Sequence, residues 1–483
     1  MLFNSFEFLL FLPVVLFVYY MLNKRSQNVW LLLCSYFFYG WWDWRFTSLL
    51  MISTVLDFNC ARQMHRRPRL SRLFLIVSLC GNLGILCTFK YLHFFTDSAI
   101  RVLNIFHLNP DVPTLQVILP IGISFYTFQT IGYTIDVYRG KLKPVSNIFD
   151  FALYVAYFPQ LVAGPIERAT NLIPQLQKKR NVDKNMVAQG LLLILLGYLK
   201  KCGIADALAE VVQESFSDPQ KWSSSHLLIS LYFFAIQIYC DFSGYSDIAR
   251  GVSKLLGIEL MINFNQPYSS KNPVEFWTRW HISLSTWFRD YLYFPLAMHY
   301  MRKTTGFLNK YKAHFYAMSL IGLWHGANWT FVIFGMYWGL VIVVYNWINE
   351  YVQTHDRVQH TFIMKNIFLG QTLISNGIKM ILMFHVVCIG WLLFRSATIS
   401  QAGIFLREIV SWQGPLFEAK DMIRLVFYGA IIVALDWPQY RKNDHTAVLS
   451  LHWVFRGLIY AFAIFIIILG GTTGNVPFIY FQF

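Results

Sequence analysis

Charge is scarce in this chain. Asp, Glu, Lys and Arg make up 13% of its 483 residues, while 56% are hydrophobic and 18% aromatic, too little polar side chain to cover a soluble protein of this size. Cysteine is sparse as well. Of seven, Cys34, Cys80, Cys87, Cys240 and Cys388 sit inside apolar segments and no pair has metal-ligand spacing. They read as small buried hydrophobes, and neither a disulfide frame nor a zinc site is indicated. No glycine-rich phosphate loop occurs, so ATP-driven transport lacks its motif. No separate basic domain occurs either, which argues against nucleic acid as a partner. Long low-complexity linkers are absent too, and a single membrane domain over residues 1–483 is the simplest partition.

What is present is apolar sequence. Stretches of about 20 residues, the length that crosses a bilayer as helix, recur from end to end, and about ten to twelve are expected on that criterion. The expected fold is all-α and multispanning. The opening run Phe8 to Leu22 lacks a preceding basic segment and a small-residue cleavage site, so it reads as a first spanning helix rather than a signal peptide. Lys24 and Arg25 follow it and place its end in the cytoplasm under the positive-inside rule. Five arginines from Arg62 to Arg72, then Arg139, Lys141 and Lys143, the group Arg168 to Lys184, and Arg302 to Lys312 mark further cytoplasmic segments. The connections Asn109 to Pro113 and Glu214 to Ser225 fit the outer face, and both termini are expected outside. Most of the net charge of +15 thereby falls in cytoplasmic loops, where it attracts anionic membrane lipids and could receive an anionic soluble substrate.

Four places carry polar groups that lipid would penalise. The first is Gly322-Leu323-Trp324-His325-Gly326-Ala327-Asn328-Trp329, where an imidazole inside an apolar run is functional by default. The second, Phe276 to Tyr293, mixes charged groups and His281 among aromatics. Read as one helix at 100° per residue, it puts Trp277, Trp280, His281, Leu284 and Trp287 near one face. The third, Gln237 to Arg250, holds Asp241 and Asp247 and is expected to end a helix that begins near Leu228. The fourth, Phe158 to Arg168, contains two prolines and a glycine that break a helix. Broken backbone at membrane depth is tolerated where protein shields it or a cavity opens.

These stretches, with Met1-Leu2-Phe3-Asn4-Ser5, Phe37-Phe38-Tyr39-Gly40-Trp41-Trp42, Leu119 to Tyr126 and Val162-Ala163-Gly164-Pro165-Ile166, resemble the membrane-bound O-acyltransferase family. The likeness is greatest to its bacterial branch of polysaccharide O-acetylation proteins, and it runs from the start to about Trp338. It implies a ring of helices around a thin centre, with His325 in the place of the family's buried essential histidine and His281 in that of the second. It also implies acetyl-CoA as donor substrate from the cytoplasm, no bound cofactor or metal, and residence in the bacterial inner membrane. The implied partners are an extracytoplasmic SGNH-hydrolase-like acetyltransferase and polysaccharide synthesis or export machinery. Two departures stand out. Trp338 lies where relatives often carry a histidine, and Leu296 to Tyr300 replaces a Gly-Gly segment.

The chemistry can be argued without the family. Moving an acetyl group from a thioester to a hydroxyl requires deprotonating a weak nucleophile, for which imidazole is the suited group near neutral pH. His325 is the expected general base, with a covalent acyl-imidazole as the variant, and His281 would orient the acceptor or stabilise the oxyanion. Trp280, Arg279, Trp324, Asn328, Asp241 and Tyr245 are the candidate substrate-binding residues. The plainer reading makes the tryptophans, with Trp329, packing walls, has Asp241, Asp247 and Arg279 pair with one another or hold helix ends, and bonds His385 to a neighbouring helix. Two other functions compete: D-alanyl transfer toward teichoic acid, and a transporter or flippase without chemistry, for which no internal repeat speaks.

Overall fold

The computed structural model describes residues 1–108, 118–303, 307–354, 372–415, 418–471 and 478–479. The Asn109 to Pro113 connection lies outside the described residues. Ser5 accepts a hydrogen bond from the Phe8 amide and so caps the first helix, α1 (Phe6–Met21), whose end at Leu22 precedes the capping Asn23 of α2 (Lys24–Asp43). There follow α3 (Thr47–Arg66), α4 (Ser71–Leu86), α5 (Leu92–Ile105), α6 (Ile123–Tyr138), α7 (Ile148–Ala156), the single turn α8 (Phe158–Leu161) and α9 (Ala169–Gln177). Next come α10 (Lys184–Tyr198), α11 (Asp206–Ser217), α12 (Ser224–Leu255), α13 (Pro273–Arg279), α14 (Ile282–Phe288), α15 (Phe294–Lys303), α16 (Phe307–His325) and α17 (Trp329–Thr354). The last are α18 (Leu373–Arg395), α19 (Ile399–Ser411), α20 (Ala419–Lys442) and α21 (Trp453–Gly470). Among the described residues there are no strands. The protein is an all-α, multi-pass integral membrane protein.

Five helical stretches among the described residues are long and apolar enough to cross a bilayer: Pro68–Ile105, Ser224–Leu255, Trp329–Val352, Ile374–Arg395 and Trp453–Gly470. The shorter α1 is apolar too. Apolar runs outnumber the long helices because several runs are interrupted. The Phe158 to Arg168 stretch is broken as its prolines require, passing from α8 through a turn to α9. Wide helical turns join consecutive helices at Cys87–Tyr91, Leu199–Ala205 and Arg289–Tyr293.

The contacts divide the chain into two compact units. Among the described residues, one comprises those of 1–197 and 245–261, the other those of 198–244 and 262–479. In the first, Phe3 packs on Phe8 and Phe38, and the Tyr19 hydroxyl donates to the Leu256 carbonyl at 2.7 Å. Glu167 follows the proline break, accepts from Asn171 Nδ2 at 2.7 Å and from the Met261 amide, and is buried. Burial pushes its carboxyl up to about 7.

The structure corrects the reading of α12. The helix does not stop at the Gln237 to Arg250 cluster but carries it internally to Leu255. Asp241 is tolerated inside it because Lys201 Nζ lies 2.7 Å away and the Ile479 amide donates to it at 2.6 Å. Lys201 also reaches Asp206 at 2.8 Å. Cys80 and Cys87 depart from expectation as well, since both are exposed, on α4 and at the wide turn after it.

Candidate active site

Both histidines lie in the second unit. His325 is the last residue of α16, and its place is set by close helix packing. A Cβ on Gly322 would fall 2.2 Å from the Phe331 carbonyl oxygen and 2.7 Å from Gly335, so only glycines allow α16 and α17 to approach this closely. A Cβ on Gly326 would meet the Phe331 ring at 2.2 Å. The chain therefore reverses immediately after His325. Asn328 closes the reversal, accepting from the Thr330 amide at 3.2 Å and donating to the Ala397 carbonyl at 2.9 Å. The His325 ring is buried edge-on against Trp324, Phe334 and Phe394, with centroids 5.0, 5.8 and 5.3 Å away.

His281 sits at a break that the aromatic periodicity conceals. The expected continuous helix from Phe276 to Tyr293 is instead α13, a kink at Trp280 and His281, α14, and the wide turn Arg289–Tyr293. His281 adopts a left-handed backbone at φ 43°, uncommon and costly for a residue with a side chain, a kind of strain that collects at functional sites. The segment around Asn263 holds the kink. The Ile282 amide donates to the Asn263 carbonyl at 2.9 Å, and the Asn265 amide to the Arg279 carbonyl at 2.9 Å. Asn263 Oδ1 accepts from the Ser283 amide at 3.2 Å and the Ser283 hydroxyl at 2.8 Å, and lies 3.2 Å from His281 Nδ1.

That contact assigns the tautomer. A backbone N–H can only donate, so the Asn263 atom facing Ser283 is oxygen, and His281 Nδ1 must carry the proton it shares with it. The lone pair of the neutral ring then resides on Nε2. The ring is fully buried, edge-on to Phe242 at 4.7 Å and stacked toward Phe264 at 6.3 Å. Trp324 stands beside both imidazoles, 6.0 Å from His281 and 5.0 Å from His325. Two histidines distant in sequence thus share one aromatic enclosure.

The other candidates divide. Trp324 belongs to this enclosure. Trp280 is 1% exposed and packs among Tyr239, Phe264, Tyr268, Phe276 and Trp391, which makes it a wall. Trp329, by contrast, is 49% exposed. Arg279 pairs with Glu275 at 3.0 Å, donates to the Asn265 carbonyl at 3.0 Å and lies over the Tyr440 ring. Asp247 pairs with Arg250 at 3.3 Å. Asp241, Asp247 and Arg279 are therefore all paired, though not with each other. Tyr245 belongs to the first unit, where it stacks on Phe3 at 4.4 Å. His385 bonds to the Tyr232 hydroxyl of α12 at 2.9 Å, the neighbouring-helix contact expected of it. Trp338 is fully buried against Phe276 and Trp277.

A cavity of about 350 Å³ opens between α14 and α16, lined by Trp277, Ile282, Ser285, Arg289, His314 and Met318 among others. Ile282 follows His281 directly. Asn263, Phe334 and Phe394 were not foreseen from the sequence. Only the polar run Asn263-Phe264-Asn265-Gln266 ahead of the histidine stretch hinted at the first. Elsewhere, His226, Glu418 and Asp421 bring possible metal-ligand atoms within 4.8 Å of one another. Hydrogen bonds engage them: His226 with Asp421 at 2.6 Å and Ser215 at 3.0 Å, Glu418 with Ser223 at 2.6 Å.

The chain matches the model of the membrane-bound O-acyltransferase family over residues 141–385. It is 40% identical to the "Probable alginate O-acetylase AlgI" of Pseudomonas aeruginosa, over 83% of this chain and 73% of that protein. To the protein of the same description from Pseudomonas putida it is 35% identical across the whole of both chains, so the likeness continues beyond Trp338. The "Peptidoglycan O-acetyltransferase" of Helicobacter pylori is 32% identical, over 86% of this chain and 80% of its own length. The chain belongs to the membrane-bound O-acyltransferase family. It is a membrane-embedded acyltransferase enzyme.

Proposed function

We propose that this protein is an O-acetyltransferase that moves acetyl groups from cytoplasmic acetyl-CoA toward an extracytoplasmic polysaccharide, with His325 as general base. The observation that carries the reading is the buried aromatic enclosure that His281 and His325 share around Trp324. The O-acetylation named for the three relatives supports acetyl over D-alanyl transfer, and family membership supports an enzyme over a transporter.

In this mechanism His325 takes the proton of the acceptor hydroxyl as its oxygen attacks the thioester carbonyl. The tetrahedral adduct collapses, the C–S bond breaks, and the proton returns from His325 to the leaving thiolate. The carbonyl end of α16, where His325 sits, favours the transient imidazolium by about 0.5–1 kcal/mol. His281 has its Nδ1 proton committed to Asn263, so its Nε2 accepts a hydrogen bond. That favours orienting the acceptor over donating to an oxyanion. The cavity between α14 and α16, lined by Ile282 directly after His281, offers the thioester arm room.

CoA carries several negative charges that the apolar interior would reject, so it stays on the cytoplasmic side, where the basic loops lie. The acetyl group alone crosses, to a partner of the SGNH-hydrolase type or the polymer machinery. The bacterial inner membrane, with both termini outside, is the setting this requires. Thiol release from acetyl-CoA tests the reading. Wild-type protein is expected to liberate CoA in the presence of acceptor and His325→Ala to liberate none above background, with His281→Ala strongly but incompletely impaired. Wild-type turnover by well-folded His325→Ala protein would refute the assignment.

A further inference from the structure

The cluster of His226, Glu418 and Asp421 has no part in the transfer chemistry, and its hydrogen bonds do not balance by themselves. Ser215 on α11 touches three groups: the Val211 carbonyl at 2.7 Å, the Ser230 hydroxyl at 2.8 Å and His226 Nε2 at 3.0 Å. A carbonyl only accepts, so the single hydroxyl proton of Ser215 goes to Val211, and its oxygen accepts from Nε2. The neutral His226 ring then turns the lone pair of Nδ1 toward Asp421 Oδ2, 2.6 Å away. Two lone pairs repel at that distance unless a proton or a metal cation lies between them. The same proton count rules out Ser215 as the nucleophile of a Ser-His-Asp triad, which the three residues resemble in outline.

We infer that this cluster is a structural site for a divalent transition cation of the zinc class, held by His226 Nδ1 and the carboxylates of Asp421 and Glu418. The three ligand atoms lie within 4.8 Å of one another, so small side-chain adjustments bring them onto one ion at roughly 2.0–2.2 Å. Charge favours a metal over a proton. A proton leaves one positive ring against two carboxylates, and among the described residues no Lys or Arg forms an ion pair with Glu418 or Asp421. A dication balances both carboxylates. The surroundings agree. Trp222 stacks on the imidazole with centroids 4.2 Å apart, and together with Ser215 at Nε2 it fixes the ring as a metal ligand requires. Glu418 stands at the N-cap of α20 without a cap hydrogen bond, its carboxylate accepting instead from the Ser223 hydroxyl at 2.6 Å. Glu418 and Ser223 are half-buried and form the open side of the cluster. The nitrogen ligand selects against Ca²⁺ and Mg²⁺, which take oxygen donors. Bound there, the ion joins the start of α12 to the start of α20.

Metal analysis and thermal unfolding of the full-length protein, purified without a polyhistidine tag, stripped with chelator and refilled with Zn²⁺, test this. The wild type is expected to retain about one Zn²⁺ per chain through gel filtration and to melt several degrees higher with Zn²⁺ than without it. Glu418→Gln keeps the shape of the side chain and an acceptor for Ser223. It is expected to weaken Zn²⁺ binding by about tenfold or more while melting, without metal, within a few degrees of wild type. Asp421→Asn is expected to abolish both the bound metal and the melting shift. A wild type that holds no stoichiometric Zn²⁺ and shows no melting shift would overturn the proposal and leave a proton between His226 and Asp421. Undiminished binding by the Glu418→Gln variant would overturn it by moving the ion to other groups. Tighter binding of Ca²⁺ than of Zn²⁺ would overturn it too, since imidazole would then not be a ligand.

Discussion

At the scale of single residues, Asn263 is an inconspicuous side chain with a large assigned effect. It pins Nδ1 of His281 and the amide and hydroxyl of Ser283 at once, so its loss frees the ring to take the other tautomer. Asn263→Ala is expected to lower kcat by about 10- to 100-fold, the worth of a lost buried hydrogen bond of 1–3 kcal/mol, with KM for acetyl-CoA little changed. Steady-state kinetics at saturating acceptor checks it. Glu167 gives a pH signature. Its folded carboxyl is raised to about 7 from an ordinary 4.5, so the folded state holds the extra proton between those values, and the associated stability is present at low pH and lost as pH rises through 7. Between pH 6 and pH 8 the wild type should lose about 1 kcal/mol relative to Glu167→Gln, read from paired melting curves. A constant difference across that range would refute the shift. The two histidines were legible in the sequence because each is an ionisable group in apolar surroundings. Asn263 was not, because its importance lies entirely in a contact 18 residues away.

At the scale of elements, the approach of α16 to α17 is what fixes His325, and it depends on glycine. Gly322→Ala would place a methyl group 2.2 Å from a backbone oxygen, where no side-chain adjustment can relieve it. A loss of about 1–3 kcal/mol of stability is expected, together with loss of activity, while Gly377→Ala, which meets nothing within 4 Å, should leave both unchanged. Thermal unfolding in detergent compares the two. The glycines on each side of His325 were visible in the sequence, but the two helix breaks were not equally so. Prolines announced the break after α8. The break at His281 carries no proline at the kink, and its aromatics keep helical spacing across it, so periodicity alone read one helix where there are two. The opposite error occurred in α12. Its carboxylates suggested an end because Lys201, which neutralises Asp241, lies 40 residues away, and no local pattern pairs them.

At the scale of the molecule, composition was enough for an all-helical membrane protein, and the basic loops for a proposed orientation. In a background without the native cysteines, Lys221→Cys is expected to react with an impermeant thiol reagent added outside intact cells, and Lys179→Cys only after permeabilisation. The reverse pattern would invert the direction of acetyl flow. The number of crossings was harder to foresee, because apolar runs count alike whether the helix within them is continuous or broken. The central claim is that His325 drives transfer of an acetyl group across the bilayer while CoA stays behind. Sealed vesicles of one orientation, given acetyl-labelled acetyl-CoA on the cytoplasmic face and an acceptor on the other, test it most directly. The account predicts label on the acceptor, free CoA confined to the donor side, and neither product with His325→Ala. Label transfer undiminished in that variant, or equal use of acetyl-CoA supplied from the outer face, would contradict it.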